Sequence, residues 1–228
     1  MIMSCKSKAG TSLSPVAGEV DDFLEESGLR VVSKDFFSRD TVLVAREILG
    51  KVLVKKSPGG WAGGTIVEAE AYLGEGDPAC HAARGMTPRN RVMFGPPGQA
   101  YVYFIYGMYN CFNCVAFDPR RQKAGAVLIR ALEPLWGLDL MSRRRNRQKK
   151  LDLTSGPGKL CSALSIDRGD NGKPLWDGDL LVCHGNCEAK ISVTGDTRIG
   201  IKTGCDLKLR FYLEGNPHIS RVKPGKAR

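Results

Sequence analysis

Ile66 to Leu73 reads Ile-Val-Glu-Ala-Glu-Ala-Tyr-Leu, an alternation with a period of two. That period marks a β-strand, in which successive side chains point to opposite faces. One face would carry Val67, Ala69, Ala71 and Leu73, which suits a core. The other would carry Glu68, Glu70 and Tyr72. Two carboxylates in file do not suit an apolar core, and a plain solvent face does not need the aromatic. The pattern predicts the wall of a pocket in which chemistry takes place. Val127 to Leu132 sharpens this expectation, because it is an apolar run interrupted only by Arg130. A buried unpaired charge costs several kcal/mol, so Arg130 needs a carboxylate from a neighbouring strand, and Glu70 or Glu68 can supply it. The pair then has two readings. It is either an ion pair that only ties strands together, or an acid kept ionised by Arg130 and able to act as a base toward water.

The rest of the chain suggests one α+β domain around an antiparallel sheet. Residues 1–30 read as a flexible polar tail with at most one short helix at Val20 to Glu26. Thr41 to Leu49 has helical spacing, with Ser38 or Asp40 to cap it and Gly50 to close it. Lys51 to Lys55 and Gly64 to Leu73 form a strand pair joined at Ser57-Pro58-Gly59-Gly60. Gly74 to Gly98 is a long loop of a kind that is usually functional or disordered. Tyr101 to Val115 and Ala124 to Ala131 are further strands. Leu135 to Lys150 is helical in composition, and a short helix runs from Lys159 to Leu164. Short strands and turns fill Leu175 to Val222, so the domain spans residues 31–222, followed by a basic tail at 223–228.

The 228 residues carry a net charge of +10, which points to a polyanionic partner, with nucleic acid first and an anionic membrane second. No run approaches the roughly 18 apolar residues that a spanning helix needs, and Met1 to Ala9 shows no signal-peptide core. The eight cysteines sit singly or in loose pairs, which predicts a reducing, intracellular compartment. Cys111 with Cys114, and Cys183-His184-Gly185-Asn186-Cys187, lack the second knuckle of a zinc site, so no metal is expected. Three other motifs fail. Gly156-Pro157-Gly158-Lys159 lacks P-loop spacing, and neither a zinc deaminase signature nor a Gly-x-Ser-x-Gly elbow is present.

In Tyr101 to Tyr109, ordinary strand packing is expected for Phe104 and Tyr101. Gly107 permits a sharp turn that leaves Tyr106 at a tip. On a basic protein, such a tyrosine can wedge between base pairs. His81, a short step after Tyr72, can help sandwich a flat ring beside Tyr72 and Tyr103.

Together, Ile66 to Gly74, Thr87-Pro88-Arg89-Asn90-Arg91, Tyr101 to Tyr109 with Asn113, Arg130-Ala131-Leu132-Glu133-Pro134, and Ser155-Gly156-Pro157 with Lys159-Leu160-Cys161 resemble the alkyladenine (3-methyladenine) DNA glycosylase family. The similarity runs from about Phe36 to Pro217.

The resemblance implies a monofunctional base-excision repair enzyme with a single mixed α/β domain, a curved antiparallel sheet and peripheral helices. It implies hydrolysis of the N-glycosidic bond of alkylated or deaminated purines such as 3-methyladenine, 7-methylguanine, hypoxanthine and ethenoadenine, with base flipping and no cofactor. Glu70 falls on the general base and Arg130 on the arginine that helps hold the attacking water. Tyr72 and Tyr103 fall on the aromatic walls, His81 on a base contact, and Asn113 on the group that screens against an exocyclic amine. Tyr106 falls on the residue that enters the duplex. Arg89, Arg91, Arg143, Arg144, Arg145 and Lys159 are expected to contact DNA. The expected partner is double-stranded DNA carrying damaged purines, with no membrane involvement and a monomeric enzyme. The expected location is the cytoplasm or nucleoid, or the nucleus in a eukaryote. The competing readings are a catalytically silent nucleic-acid-binding domain on the same scaffold and a basic ribosome-associated protein. The second does not explain the acidic strand face.

Overall fold

A computed structural model describes residues 15–185 and 191–220. The basic tail at 223–228, the first part of the N-terminal tail, and Asn186 and Cys187 of the second cysteine pair lie outside the described residues. The elements follow in the order α1 (Pro15–Ser27), α2 (Thr41–Glu47), β1 (Val52–Ser57), β2 (Gly60–Tyr72), β3 (Ala100–Ile105), β4 (Tyr109–Val115), β5 (Ala126–Trp136), α3 (Leu138–Arg145), α4 (Lys150–Leu153), α5 (Pro157–Leu164), β6 (Leu180–Cys183), β7 (Val193–Asp196) and β8 (Arg210–Leu213). The strands form one antiparallel sheet in the order β3-β4-β5-β2-β1-β6. β8 pairs with β2 over Glu68 to Glu70, and β7 pairs with β8. The expected α+β domain with a curved antiparallel sheet is what the chain forms.

The curvature has a local cause. Along β2 and β5, Ile66 faces Leu132, Glu68 faces Ala131 and Ala69 faces Ile129. Val67 and Arg130 are therefore the extra residues of two consecutive bulges. A bulge bends its strand, increases the twist and re-aims a side chain. Here it brings Ile66 rather than Val67 into the main core with Ala69 and Ala71, and it leaves Arg130 between Glu68 and Glu70. Simple alternation could not foresee that exchange. It assigned Val67 to the core face, and Val67 is buried but outside the main cluster.

α2 starts where the capping signal indicated, with the Asp40 carboxylate accepting from the Val42 and Leu43 N–H groups at 3.0 Å. α5 packs on β4 and β5 through Leu160, Cys161 and Leu164. The long loop between β2 and β3 is ordered over its own cluster, in which Cys80, Ala82 and Met93 pack on Tyr101, Val115 and Ala126.

Three sequence expectations need correction. The N-terminal helix covers Pro15–Ser27 rather than only residues 20–26, and part of the expected tail packs on the sheet. Phe23 stacks on Trp61 at 4.2 Å, while Val20 and Leu29 are buried against Val52 and Leu181. Leu135 and Trp136 belong to β5, not to a helix. Gly137, at φ +68°, separates β5 from α3, which itself ends at the left-handed Asn146. Phe104 is 45% exposed and does not pack in the core.

Candidate active site

The bulges concentrate charge inside the sheet. Glu68 and Glu70 are both fully buried. The Arg130 Nε donates to Glu68 Oε1 at 3.2 Å, and its Nη1 lies 3.0 Å from Glu70 Oε1. Arg210 Nη1 donates to Glu68 Oε1 at 3.0 Å, and Arg210 also pairs with Asp196. Ser220 completes the Glu68 shell with its N–H on Oε2 at 2.6 Å and its hydroxyl on Oε1 at 2.8 Å. Glu70 is held differently. Its Oε1 accepts from Ile199 N–H at 2.7 Å, and its Oε2 accepts from the Tyr72 hydroxyl at 2.9 Å. Burial works against the Arg130 charge, but the Glu70 and Glu68 carboxylates outweigh it and hold the guanidinium above its ordinary value. Burial and the Glu70 charge push the Tyr72 hydroxyl far up, so it remains a proton donor. Both carboxylates serve Arg130, and of the two it is Glu70 that is bonded to a wall of the neighbouring cavity.

That cavity holds about 460 Å3 and is lined by Tyr72, His81, Tyr103, Asn113, Arg130 and Ile199 among others. The sequence-predicted pocket residues thus converge on one space. Tyr103 meets His81 edge to face at 4.6 Å and leans on Tyr101 at 5.3 Å. His81 Nδ1 lies 2.9 Å from the Tyr101 hydroxyl. Burial, with the Arg89 charge, lowers the His81 pKa, so the ring is neutral at neutral pH. In the tautomer that accepts from Tyr101 at Nδ1, Nε2–H is free to donate into the cavity. Asn113 is buried and donates its amide to the Tyr101 carbonyl at 2.9 Å, which sets its orientation.

A second charge pair lies beside the same wall. Arg198 makes two bonds to Asp77, at 2.6 and 2.7 Å, donates to the Ala71 carbonyl and lies 4.7 Å from the Tyr72 ring centre. Asp77 also accepts from the Leu73 and Ala79 N–H groups at 3.1 Å. Burial alone would raise the Asp77 carboxyl, but these bonds reverse it to below its ordinary 3.8. A depressed folded-state value stabilises above the unfolded pKa and is lost as pH falls through the folded one. The clamp is therefore complete at neutral pH and erodes only in strong acid. Asn90 fixes the same loop by donating to the His81 and Gly85 carbonyls at 2.7 and 3.0 Å.

Tyr106 stands at the tip of the β3–β4 hairpin, 81% exposed and at φ +52°. Arg89 is exposed but leans on Tyr103 at 5.4 Å and donates to the Phe104 carbonyl. Arg91 and Arg143 are exposed, and Lys159 reaches Ser155 Oγ at 3.2 Å. Arg144 is otherwise engaged, because its guanidinium donates to the Ala163 and Pro58 carbonyls and to Ser57 Oγ. It ties α3 to α5 and the β1–β2 turn. No three His, Cys, Asp or Glu side chains among the described residues converge as a metal set. Cys111 and Cys114 are buried free thiols, and burial raises Cys111 to about 11. Among the described residues, no helix is long and apolar enough to cross a membrane.

The family model for methylpurine-DNA glycosylase matches residues 35–217. The chain belongs to the methylpurine-DNA glycosylase family. It is similar to three proteins that each carry the name "Putative 3-methyladenine DNA glycosylase". The one from Methanoculleus marisnigri is 50% identical over 82% of this chain and 96% of its own length. The one from Methanocella arvoryzae is 48% identical over 86% and 98%. The one from Prosthecochloris aestuarii is 47% identical over 85% and 92%. As a member of this family, the protein is a DNA glycosylase.

Several residues that shape this candidate site escaped the sequence reading. Asp77 and Arg198 lie 121 positions apart, and Glu68 and Ser220 lie 152 apart. The only local signal was an arginine in Thr197-Arg198-Ile199-Gly200, and nothing in that segment names its partner. Glu68 now has a distinct role from Glu70, since four donor groups on Arg130, Arg210 and Ser220 depend on it. Glu68→Gln is expected to cost roughly 3 kcal/mol, by leaving two buried guanidiniums short of a carboxylate. A melting temperature within about 2 °C of wild type would show that the network does not need the Glu68 charge.

Proposed function

We propose that this glycosylase excises alkylated and deaminated purines, of the 3-methyladenine, 7-methylguanine, hypoxanthine and ethenoadenine class, from double-stranded DNA. The target base leaves the stack, enters the 460 Å3 cavity and lies between Tyr72 on one side and His81 with Tyr103 on the other. Extruding a base costs a few kcal/mol. Stacking on an aromatic ring returns roughly 1–3 kcal/mol per base, and Tyr106 filling the vacated space favours the flipped state further.

The observation that carries this reading is the placement of Glu70. It is a fully buried carboxylate with Oε1 anchored by Arg130 and Ile199 N–H, and with Oε2 beside the pocket wall at Tyr72. Breaking the bond from C1′ to the purine nitrogen sends the electron pair to the base and leaves positive charge on the sugar. Glu70 stabilises that charge and takes the proton of the water that attacks C1′. Arg130 holds the carboxylate in register. A cationic alkylated purine leaves as a neutral base. A neutral purine must gain a proton or a hydrogen bond as it leaves, and the neutral His81 is placed to donate one. The chemistry needs no metal.

Glu70→Gln keeps the shape and removes the base. It is expected to lower single-turnover release of ethenoadenine or 7-methylguanine by at least about 10²-fold while damaged duplex is still bound. Excision within about tenfold of wild type would overturn the assignment. Tyr106→Ala is expected to shift the flipping equilibrium of an ethenoadenine duplex, read by its fluorescence, toward the stacked state. Because the Tyr106 side chain is exposed, the melting temperature should hold. An unchanged equilibrium would remove the wedge role.

A further inference from the structure

The β3–β4 hairpin has two working faces. Alternation along β4 sends Cys111 and Asn113 to the base pocket, and sends Asn110, Phe112 and Cys114 the other way. On that other side, between the hairpin, α5 and the end of α3, lies a second cavity of about 290 Å3. Met108, Tyr109, Asn110, Arg145, Gly158 and Ser162 line it. Its rim is apolar and exposed, with Met108 at 64% and Tyr109 at 44%. Asn110 Oδ1 and Arg145 Nε are buried there, and neither has a hydrogen-bond partner among the described residues. Exposed Arg143, Arg147, Lys149 and Lys150 follow the same stretch of chain.

We propose that this second cavity receives the undamaged strand of the duplex while the damaged nucleotide occupies the first. The inference rests on the glycosylase reading above. Tyr106, at the tip of the hairpin, lines the base pocket, and the second cavity begins two residues further on at Met108. Residues before the tip, Tyr103 and Ile105, line the base pocket, and residues after it, Met108 to Asn110, line the second cavity. A hairpin that enters the stack by its tip meets one strand on each side. Flipping leaves the facing base without its partner. That base presents an apolar ring face, which suits the exposed Met108 and Tyr109. Its phosphates are anions, which suit the basic end of α3.

The test compares two fluorescein-labelled oligonucleotides carrying a tetrahydrofuran abasic analogue, one duplex and one single-stranded, by anisotropy across a salt series. For Arg145→Met, the loss of affinity on duplex should exceed the loss on single strand by about tenfold. The slope of log K against log salt should fall by about 0.9 on duplex only. Met108→Ala, at an exposed position, should show the same duplex-selective loss without the change in slope, and it decides the matter if Arg145→Met does not fold. Equal losses on both forms, or none, would overturn the proposal. A wild-type protein that binds both forms but releases no damaged base would instead refute the glycosylase reading.

Discussion

The structure depends on one buried fork. Arg130 places a single guanidinium between two carboxylates from the adjacent strand, with Nε on Glu68 and Nη1 on Glu70. Removing these charges from water is costly unless all of them are paired and hydrogen-bonded. The chain meets that condition with a pair of opposed bulges that aim Arg130 between the two acids, and with Arg210 and Ser220 brought in from β8 and beyond. The sheet curves at the position where the charge is buried, because the bulges that aim the side chain also bend β2 and β5.

The two acids are thereby given different tasks. Glu68 accepts four hydrogen bonds and ties β2, β5, β8 and the Ser220 segment together. Glu70 shares Arg130 but turns its other oxygen to Tyr72 at the pocket wall. Around this centre, the long loop after β2 is held by Asp77–Arg198 and Asn90 rather than by regular structure. His81 is therefore held edge to face against Tyr103, and Tyr72 is fixed by Arg198 and Glu70 in the wall of the same cavity. A rigid set of walls suits the recognition of a flat ring.

Period-two alternation made β2, its acidic face and the need for a partner to Arg130 legible from the sequence, because a strand declares its faces and a buried arginine declares its cost. Gly107 made the hairpin tip legible in the same way. The bulge at Val67 was not legible, since nothing in Ile66-Val67-Glu68 says which residue will go unpaired. The Asp77–Arg198 clamp and the Ser220 contact were hidden by sequence distance, as each side chain reads as an ordinary loop polar residue until the fold brings its partner near. The basic run after Leu138 was read as one surface. In the structure it divides into Arg144, bound to carbonyls, and Arg143 and Arg147, exposed. Phe23, in a segment that composition marked as tail, found Trp61 because β2 extends back to Gly60 and presents that ring on its outer edge.

In the proposed reaction, the forked geometry of Arg130, and not its charge alone, is the condition for an active Glu70. Arg130→Lys tests this directly, because it keeps the charge and removes the ability to bridge two carboxylates. Single-turnover release of 7-methylguanine, measured at a temperature where the variant is folded by circular dichroism, is predicted to fall by about 10²-fold, as displacement of a catalytic group by about 1 Å would produce. Release at the wild-type rate would contradict the central claim and reduce Arg130 to a charge that only keeps the sheet intact.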